Sequence, residues 1–213
     1  QPSYGYQRSG GLYNRSFADI YPSLSLNVAG QKSIYWDKSA SKAANYMDDL
    51  LSCCQFGIEN LGINDLDLLL TLQLNKMSLW YYAKSRGVKM FCTTIEPKTT
   101  STDGWVTLIN QKVTASESVR IGINQWLRDN APIVVATQQP ATVGATGPTV
   151  VRIGDYRHPL VGIIDTAVMV EDAPTGKFRI DLGAITADGL HLNAIGYTEN
   201  VKPLVDALPL FSV

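Results

Sequence analysis

The sequence lacks an excess of charge of either sign. It carries 18 Lys and Arg residues against 19 Asp and Glu residues, which gives a formal net charge of -1. Proteins that attract nucleic acid or an anionic membrane surface usually carry a basic patch, so we predict neither partner. The chain also lacks an apolar run of the roughly 20 residues that a bilayer crossing needs. We therefore predict no membrane span.

Cysteine and histidine are scarce. The three cysteines, Cys53, Cys54 and Cys92, are odd in number and do not have the Cys-x-x-Cys or Cys/His spacing of a zinc site. We interpret them as small buried apolar side chains, and we predict neither a metal nor an organic cofactor. The two histidines are His158 and His191. A histidine-dependent site in this chain must use one of them.

The composition is that of a globular domain, with 45% hydrophobic and 17% charged residues. We expect one domain over residues 1–213. Residue 1 is Gln rather than Met and no secretory signal is present, so we expect a mature, processed or truncated product. Residues 138–159 contain Gly, Thr, Pro and Val without clear periodicity, which predicts a loop or hairpin insertion.

Short apolar runs alternate with stretches of helical spacing. The predicted strands are 24–29, 55–61, 88–94, 133–137 and 160–166, and the main predicted helices are 39–53, 66–85, 116–129 and 193–207. Because these strands are apolar throughout rather than alternating, we predict an α/β fold with a mainly parallel sheet covered by helices on both faces. Ligands bind such sheets at the carboxyl ends of the strands.

His191 follows Asp188 by three residues, in a turn that contains glycine. A carboxylate at this spacing can accept a hydrogen bond from the imidazole Nδ1, which fixes the tautomer and stabilises the imidazolium. Such a pair suits a general base that activates a hydroxyl nucleophile. We therefore predict His191 as a catalytic base and Asp188 as its partner.

Two glycine-containing turns follow predicted strands. After 55–61 come Gly62 and Asn64, and the Asn64 amide could stabilise an oxyanion there. Alternatively, Asn64 or Asp65 caps the helix that follows. Gly30 ends the strand at 24–29, where it either turns the chain or donates its backbone N–H to an oxyanion.

Together these blocks resemble the SGNH (GDSL-like) hydrolase family from about residue 24 onward. The matching segments are Asn27–Gly30, Gly62–Asp65 and Asp188–Asn193, with Gly196 and Tyr197 after the last. Arg120, Asn124 and Trp126 resemble the family's helix before the fourth strand.

The resemblance implies a flavodoxin-like three-layer sandwich with five strands. It also implies hydrolysis of an acyl or acetyl ester, including carbohydrate esters. By that resemblance, Gly30 and Asn64 form the oxyanion hole and His191 and Asp188 supply the base and its partner. Family habit adds secretion as an expectation.

The chain departs from the family pattern in two places. Leu192 replaces the usual proline, and the Gly-Asp-Ser block that supplies the nucleophile is missing. Three interpretations of the nucleophile remain open. It precedes Gln1, on a separate chain after cleavage or lost by truncation; it is Ser33; or it is Ser3.

A hypothesis from a different class is a catalytically inactive carbohydrate-binding or structural module on the same fold. Tyr35, Trp36 and Trp105 could form an aromatic sugar platform, or each could pack in the core or at its edge. We expect His158 in a surface loop rather than lining a substrate cleft, and Asp165 in a structural or capping role.

Overall fold

The structure is a computed structural model that describes residues 54–211. Predictions for Ser3, Gly30, Ser33, Tyr35, Trp36, Cys53 and the elements at 24–29 and 39–53 lie outside the described residues. In chain order the elements are β1 (Phe56–Glu59), α1 (Leu69–Ser85), β2 (Lys89–Thr93), β3 (Thr99–Ser101), β4 (Gln111–Val113), α2 (Glu117–Arg128), β5 (Ile133–Val134), β6 (Gln139–Pro140), β7 (Val150–Val151), β8 (Leu160–Ile164), β9 (Glu171–Asp172), β10 (Lys177–Phe178), α3 (Ala194–Asn200) and α4 (Lys202–Ala207), with 3-10 turns at Ala167–Met169 and Leu208–Phe211.

A parallel sheet of three strands, in the order β1-β2-β8, lies at the centre of the described region. The middle strand β2 pairs on both edges, and its residues Met90–Thr93 are all buried. A strand enclosed on both faces reads as a continuous apolar run, which is why its position could be predicted from the sequence.

The predicted flavodoxin-like sandwich with a five-stranded, mainly parallel sheet is wrong. The parallel sheet of the described region has three strands, and the other strands form three small antiparallel sheets: β3-β4, β9-β10 and β6-β5-β7. The clearest difference is the strand predicted at 133–137. Only Ile133–Val134 is extended, and it pairs antiparallel with β6 and β7. The chain reverses near Gln138, which has φ of +51°, so β5 pairs locally instead of through a crossover.

Two helices build the main core against this sheet. α1 contributes Leu72, Met77 and Trp80, and α2 contributes Trp126 and Leu127. The Trp80 and Trp126 rings stack with centroids 5.7 Å apart. The helices predicted at 66–85 and 116–129 are confirmed to within a few residues. The buried face of α2 carries Ile123, Trp126 and Leu127 at helical spacing, whereas that of α1 also carries the polar residues Gln73 and Lys76.

The C-terminal helix predicted at 193–207 is two helices, α3 and α4, that meet at Val201. Pro203 lies in the first turn of α4, where its missing N–H costs least and its fixed φ favours a new start. Among the described residues, no helix combines the length and the apolar character needed to cross a bilayer.

Candidate functional site

Asp188 and His191 are hydrogen-bonded through a short loop before α3. His191 Nδ1 lies 2.7 Å from Asp188 Oδ2, while Asp188 Oδ1 accepts from the backbone N–H groups of Leu190 (2.9 Å) and His191 (2.7 Å). These bonds, first the one from the His191 side chain, lower the pKa of Asp188 to about 2. Because the carboxylate is ionised and can only accept, Nδ1 carries the proton in neutral His191 and Nε2 presents the lone pair.

The same loop is fixed from its other side by Thr186. The Thr186 hydroxyl donates to the His191 carbonyl at 2.7 Å and accepts from Gly189 N at 2.9 Å. Gly189 has φ of +74°, and a Cβ there would lie 1.9 Å from the Thr99 carbonyl oxygen. Thr99 N donates to the Gly189 carbonyl at 2.9 Å. Only glycine fits at position 189, because the backbone there is left-handed and a side chain would collide with the Thr99 carbonyl.

Trp105 packs against the loop that carries Asp188 and His191. Its side chain lies against Gly189, and its Nε1 donates to Thr99 Oγ1 at 2.9 Å. Trp105 packs against a second apolar cluster that includes Phe178 and Leu192. Of the two interpretations of Trp105, a sugar platform or packing in the core or at its edge, the structure agrees with packing: the side chain contacts Thr99 of β3 and Gly189.

The side chains of the pair remain open to solvent. That of His191 is 71% exposed and that of Asp188 is 53% exposed. Exposed ion pairs contribute little to stability, so the fold does not depend on this one. The His191 imidazole is therefore accessible from solvent.

Asn64 lies in a tight turn after β1. Asp65 N donates to the Gly62 carbonyl at 3.0 Å, and Gly62 has φ of +122°. The alternative that Asn64 or Asp65 caps α1 is wrong, because the N-cap of α1 is Leu68 and no side chain caps it. The Asn64 side chain is exposed, whereas burial raises the pKa of the neighbouring Asp65 carboxyl.

Both loops rest on the segment that follows β2. A Cβ on Gly62 would lie 2.8 Å from Ile95 Cδ1, and Thr99 bonds to Gly189. Ile95 and Thr99 are four residues apart, so their Cα atoms are at most about 14 Å apart. The Asn64 turn and the His191 loop therefore lie at the same carboxyl end of the parallel sheet.

Arg120 and Asn124 of α2 hold this segment. Asn124 accepts from Ile95 N and donates to Ile95 O, both at 2.8 Å, and Arg120 Nη1 donates to the same carbonyl at 3.0 Å. Arg120 is fully buried and also pairs with Glu117 and Glu171. The Arg120 and Asn124 side chains thus fix the backbone at Ile95. Trp126, the third residue of this block, lies in the core and donates to Pro132 O.

His158 is buried, and the expectation of a surface loop is wrong. Its Nε2 bonds to the Ala131 carbonyl at 2.8 Å and its Nδ1 accepts from Leu160 N at 3.1 Å. Burial lowers the pKa of the His158 imidazole, which acts as a structural bridge. Asp165 has the structural role expected of it: it accepts from Thr94 Oγ1 and from the guanidinium of Arg128.

The cysteines divide. Cys92 is buried as expected, whereas Cys54 is exposed, contrary to the expectation. Cys92 also has polar neighbours that its apolar surroundings in the sequence did not reveal: its thiol lies 3.0 Å from Glu59 Oε2 and 3.7 Å from Lys76 Nζ. Glu59, Lys76 and Thr99 are the supporting residues whose roles the sequence did not reveal.

A cavity of about 390 Å³ lies elsewhere on the surface. Its lining is Leu108, Glu171, Asp172, Ala173, Arg179, Ile180 and Asp181. None of the predicted site residues lines it, and its one cation, Arg179, is already paired with Asp181. The cavity therefore does not include the pair of Asp188 and His191.

Comparison with known protein families, with characterised proteins and with solved structures finds no match to this chain. The resemblance to SGNH hydrolases therefore remains a prediction from the residue blocks alone.

Proposed function

We propose that this protein is a serine-type ester hydrolase that cleaves an acyl or acetyl ester, with carbohydrate esters as one substrate class. The observation that carries the proposal is the bond of 2.7 Å between Asp188 and an otherwise exposed His191. Within residues 54–211, His191 Nε2 has no hydrogen-bond partner. It is therefore free to take a proton from a hydroxyl nucleophile.

The proposed reaction has two steps. A serine hydroxyl attacks the ester carbonyl and gives its proton to His191 Nε2, while Asp188 stabilises the imidazolium. The tetrahedral oxyanion accepts hydrogen bonds from the Asn64 amide and the Gly30 N–H. The alcohol then leaves with the proton from Nε2, and water activated by His191 hydrolyses the acyl-enzyme to the carboxylic acid.

The nucleophile is identified by chemistry rather than by position. A fluorophosphonate labels an activated serine, and peptide mapping by mass spectrometry locates the label. Labelling at Ser33 or Ser3 assigns the nucleophile to this chain, and labelling of a second polypeptide in the native protein assigns it to a partner chain. Absence of both label and turnover would contradict the proposal and favour a non-catalytic binding module.

The base is tested by His191→Ala in the native protein with a small acetyl ester as substrate. We expect kcat to fall by at least about 10³-fold, because the general base is lost. A matched control is Lys202→Ala, which breaks another i,i+3 ion pair at the surface, that of the exposed Lys202 with the partly buried Glu199. Full turnover by the His191→Ala protein would refute the proposal.

A further inference from the structure

A buried polar cluster lies beneath the Asn64 turn. Lys76 Nζ bonds to Glu59 Oε1 at 2.6 Å, and Glu59 Oε2 accepts from Trp80 Nε1 (3.2 Å) and from the Cys92 thiol (3.0 Å). Glu59 and Lys76 are each 3% exposed, and Trp80 and Cys92 are fully buried. The reaction proposed above uses none of these groups directly.

The cluster holds the backbone that leads into the turn. Both polar groups of the Leu61 backbone end on it: Leu61 N donates to Glu59 Oε1 at 3.1 Å, and Leu61 O accepts from Lys76 Nζ at 2.7 Å. Asn60, the residue before Leu61, is held as well, because its Oδ1 accepts from Thr93 Oγ1 at 2.6 Å. We call Glu59, Lys76 and Thr93 the loop anchor.

Stability alone does not account for the loop anchor. Taking two charges out of water costs several kcal/mol per ion, and apolar side chains of similar volume often replace such a pair without loss. Burial opposes the charge of Lys76, but its contacts with Cys92 and Glu59 outweigh that effect and raise its pKa, so the ammonium persists. An apolar pair would fill the space but could not bond both polar groups of Leu61.

An oxyanion donor needs precise placement. Donors must lie about 2.7 to 3.1 Å from the oxyanion, and misplacement by about 1 Å can cost 100-fold in rate. Asn64 is three residues beyond Leu61, across a glycine with φ of +122°. Without a fixed Leu61 backbone, that glycine would let the turn take several orientations.

We propose that the loop anchor positions the Asn64 amide for the transition state, which makes Glu59, Lys76 and Thr93 positioning residues for the ester hydrolase. This inference rests on the proposed function of Asn64. It predicts that the loop anchor affects kcat, has little effect on KM, and acts only through Asn64.

The test is a double-mutant cycle on the native protein with a small acetyl ester. One arm is Glu59→Gln with Lys76→Met, which removes both charges together and with them the ammonium donor to Leu61 O. The other arm is Asn64→Ala. We expect Asn64→Ala to lower kcat about 100- to 1,000-fold and the anchor variant about 10- to 100-fold with KM nearly constant. In the Asn64→Ala background, we expect the anchor effect to disappear.

Equal losses from the anchor variant in both backgrounds, or no loss in either, would overturn the inference. If the double replacement does not fold, the same cycle is run with Thr93→Val, which removes only the hydroxyl that holds Asn60. A smaller loss that again vanishes without Asn64 supports the inference, and an unchanged kcat or an additive loss overturns it.

A matched control separates positioning from general loosening. Arg152→Met with Asp129→Asn removes another ion pair, joined at 3.0 Å, between the end of α2 and the region of β7. This variant should leave kcat unchanged. His191→Ala distinguishes the two levels of failure: retained turnover there refutes the ester hydrolase itself, whereas lost turnover with an additive cycle refutes only the anchor.

Discussion

Two acid–base pairs lie near the same end of the sheet, and their surroundings are opposite. Asp188 and His191 bond at 2.7 Å with side chains that are more than half exposed, whereas Glu59 and Lys76 bond at 2.6 Å with almost no exposure. An exposed pair contributes little to folding, while a buried pair becomes costly as soon as one partner is lost. The first pair is therefore accessible to a ligand. The second is buried and holds the Leu61 backbone.

Replacing one partner of each pair should give the largest difference in the free energy of unfolding. Lys76→Ala leaves the Glu59 carboxylate buried without its cation and should lower the free energy of unfolding by about 3 to 5 kcal/mol. His191→Ala removes an exposed partner and should change it by less than about 1 kcal/mol. Denaturant titration followed by tryptophan fluorescence measures both.

Lys84→Ala is the matched control on the same helix. Lys84 is exposed and donates to the Tyr156 and His158 carbonyls, so its loss should cost about 1 kcal/mol. If Lys76→Ala lowered the free energy of unfolding by no more than Lys84→Ala does, the structural role of the buried pair would be contradicted.

We predict that kcat depends on the backbone position around the exposed pair as strongly as on the backbone position around Leu61. Gly189→Ala puts a Cβ 1.9 Å from the Thr99 carbonyl oxygen, so the loop must shift. A shift of about 1 Å at His191 should lower kcat about 100-fold. The measurement is steady-state hydrolysis of a small acetyl ester.

Gly183→Ala is the control for the backbone conformation alone. Gly183 has φ of +79° but nothing within 4 Å of an added Cβ. Its replacement should cost about 1 to 2 kcal/mol of stability and leave kcat unchanged. Equal activity losses in the two variants would show that the Thr99 contact has no special role.

The sequence allowed prediction of the exposed pair but not of the buried one, for a physical reason. Asp188 and His191 are three residues apart in a glycine turn, so their contact is local and readable. Glu59, Lys76 and Cys92 come from β1, α1 and β2, and only packing brings them together. One clue was present: Lys76 lies four residues after Leu72 and four before Trp80, on the helical face that these two apolar residues share.

The fold shows the same division between local and non-local information. Apolar periodicity located α2 within a residue or two, because a helix depends on neighbours three and four residues away. The partner of Ile133–Val134 depended on where the chain reversed, and the reversal near Gln138 carries no glycine or proline in 135–139. The predicted parallel strand became one strand of an antiparallel sheet for this reason.

The smallest predicted effect sharpens the comparison at the exposed pair. The pKa of Asp188 is about 2, and the bond from the His191 side chain is its first cause, followed by backbone N–H bonds. In the His191→Ala protein that pKa should rise toward 3.8 without reaching it, since the Leu190 and residue-191 amides still donate.

The carboxyl ¹³C shift of Asp188, followed by NMR against pH, measures this change. Because the folded pKa is depressed, the small stability contribution of Asp188 is present above its unfolded pKa near 3.8 and is lost as pH falls through about 2. The His191→Ala protein should lose it at a higher pH than the parent. An Asp188 pKa that is unchanged in His191→Ala would mean that the backbone alone holds the carboxylate, and the pair would then lack the coupling that a catalytic base requires.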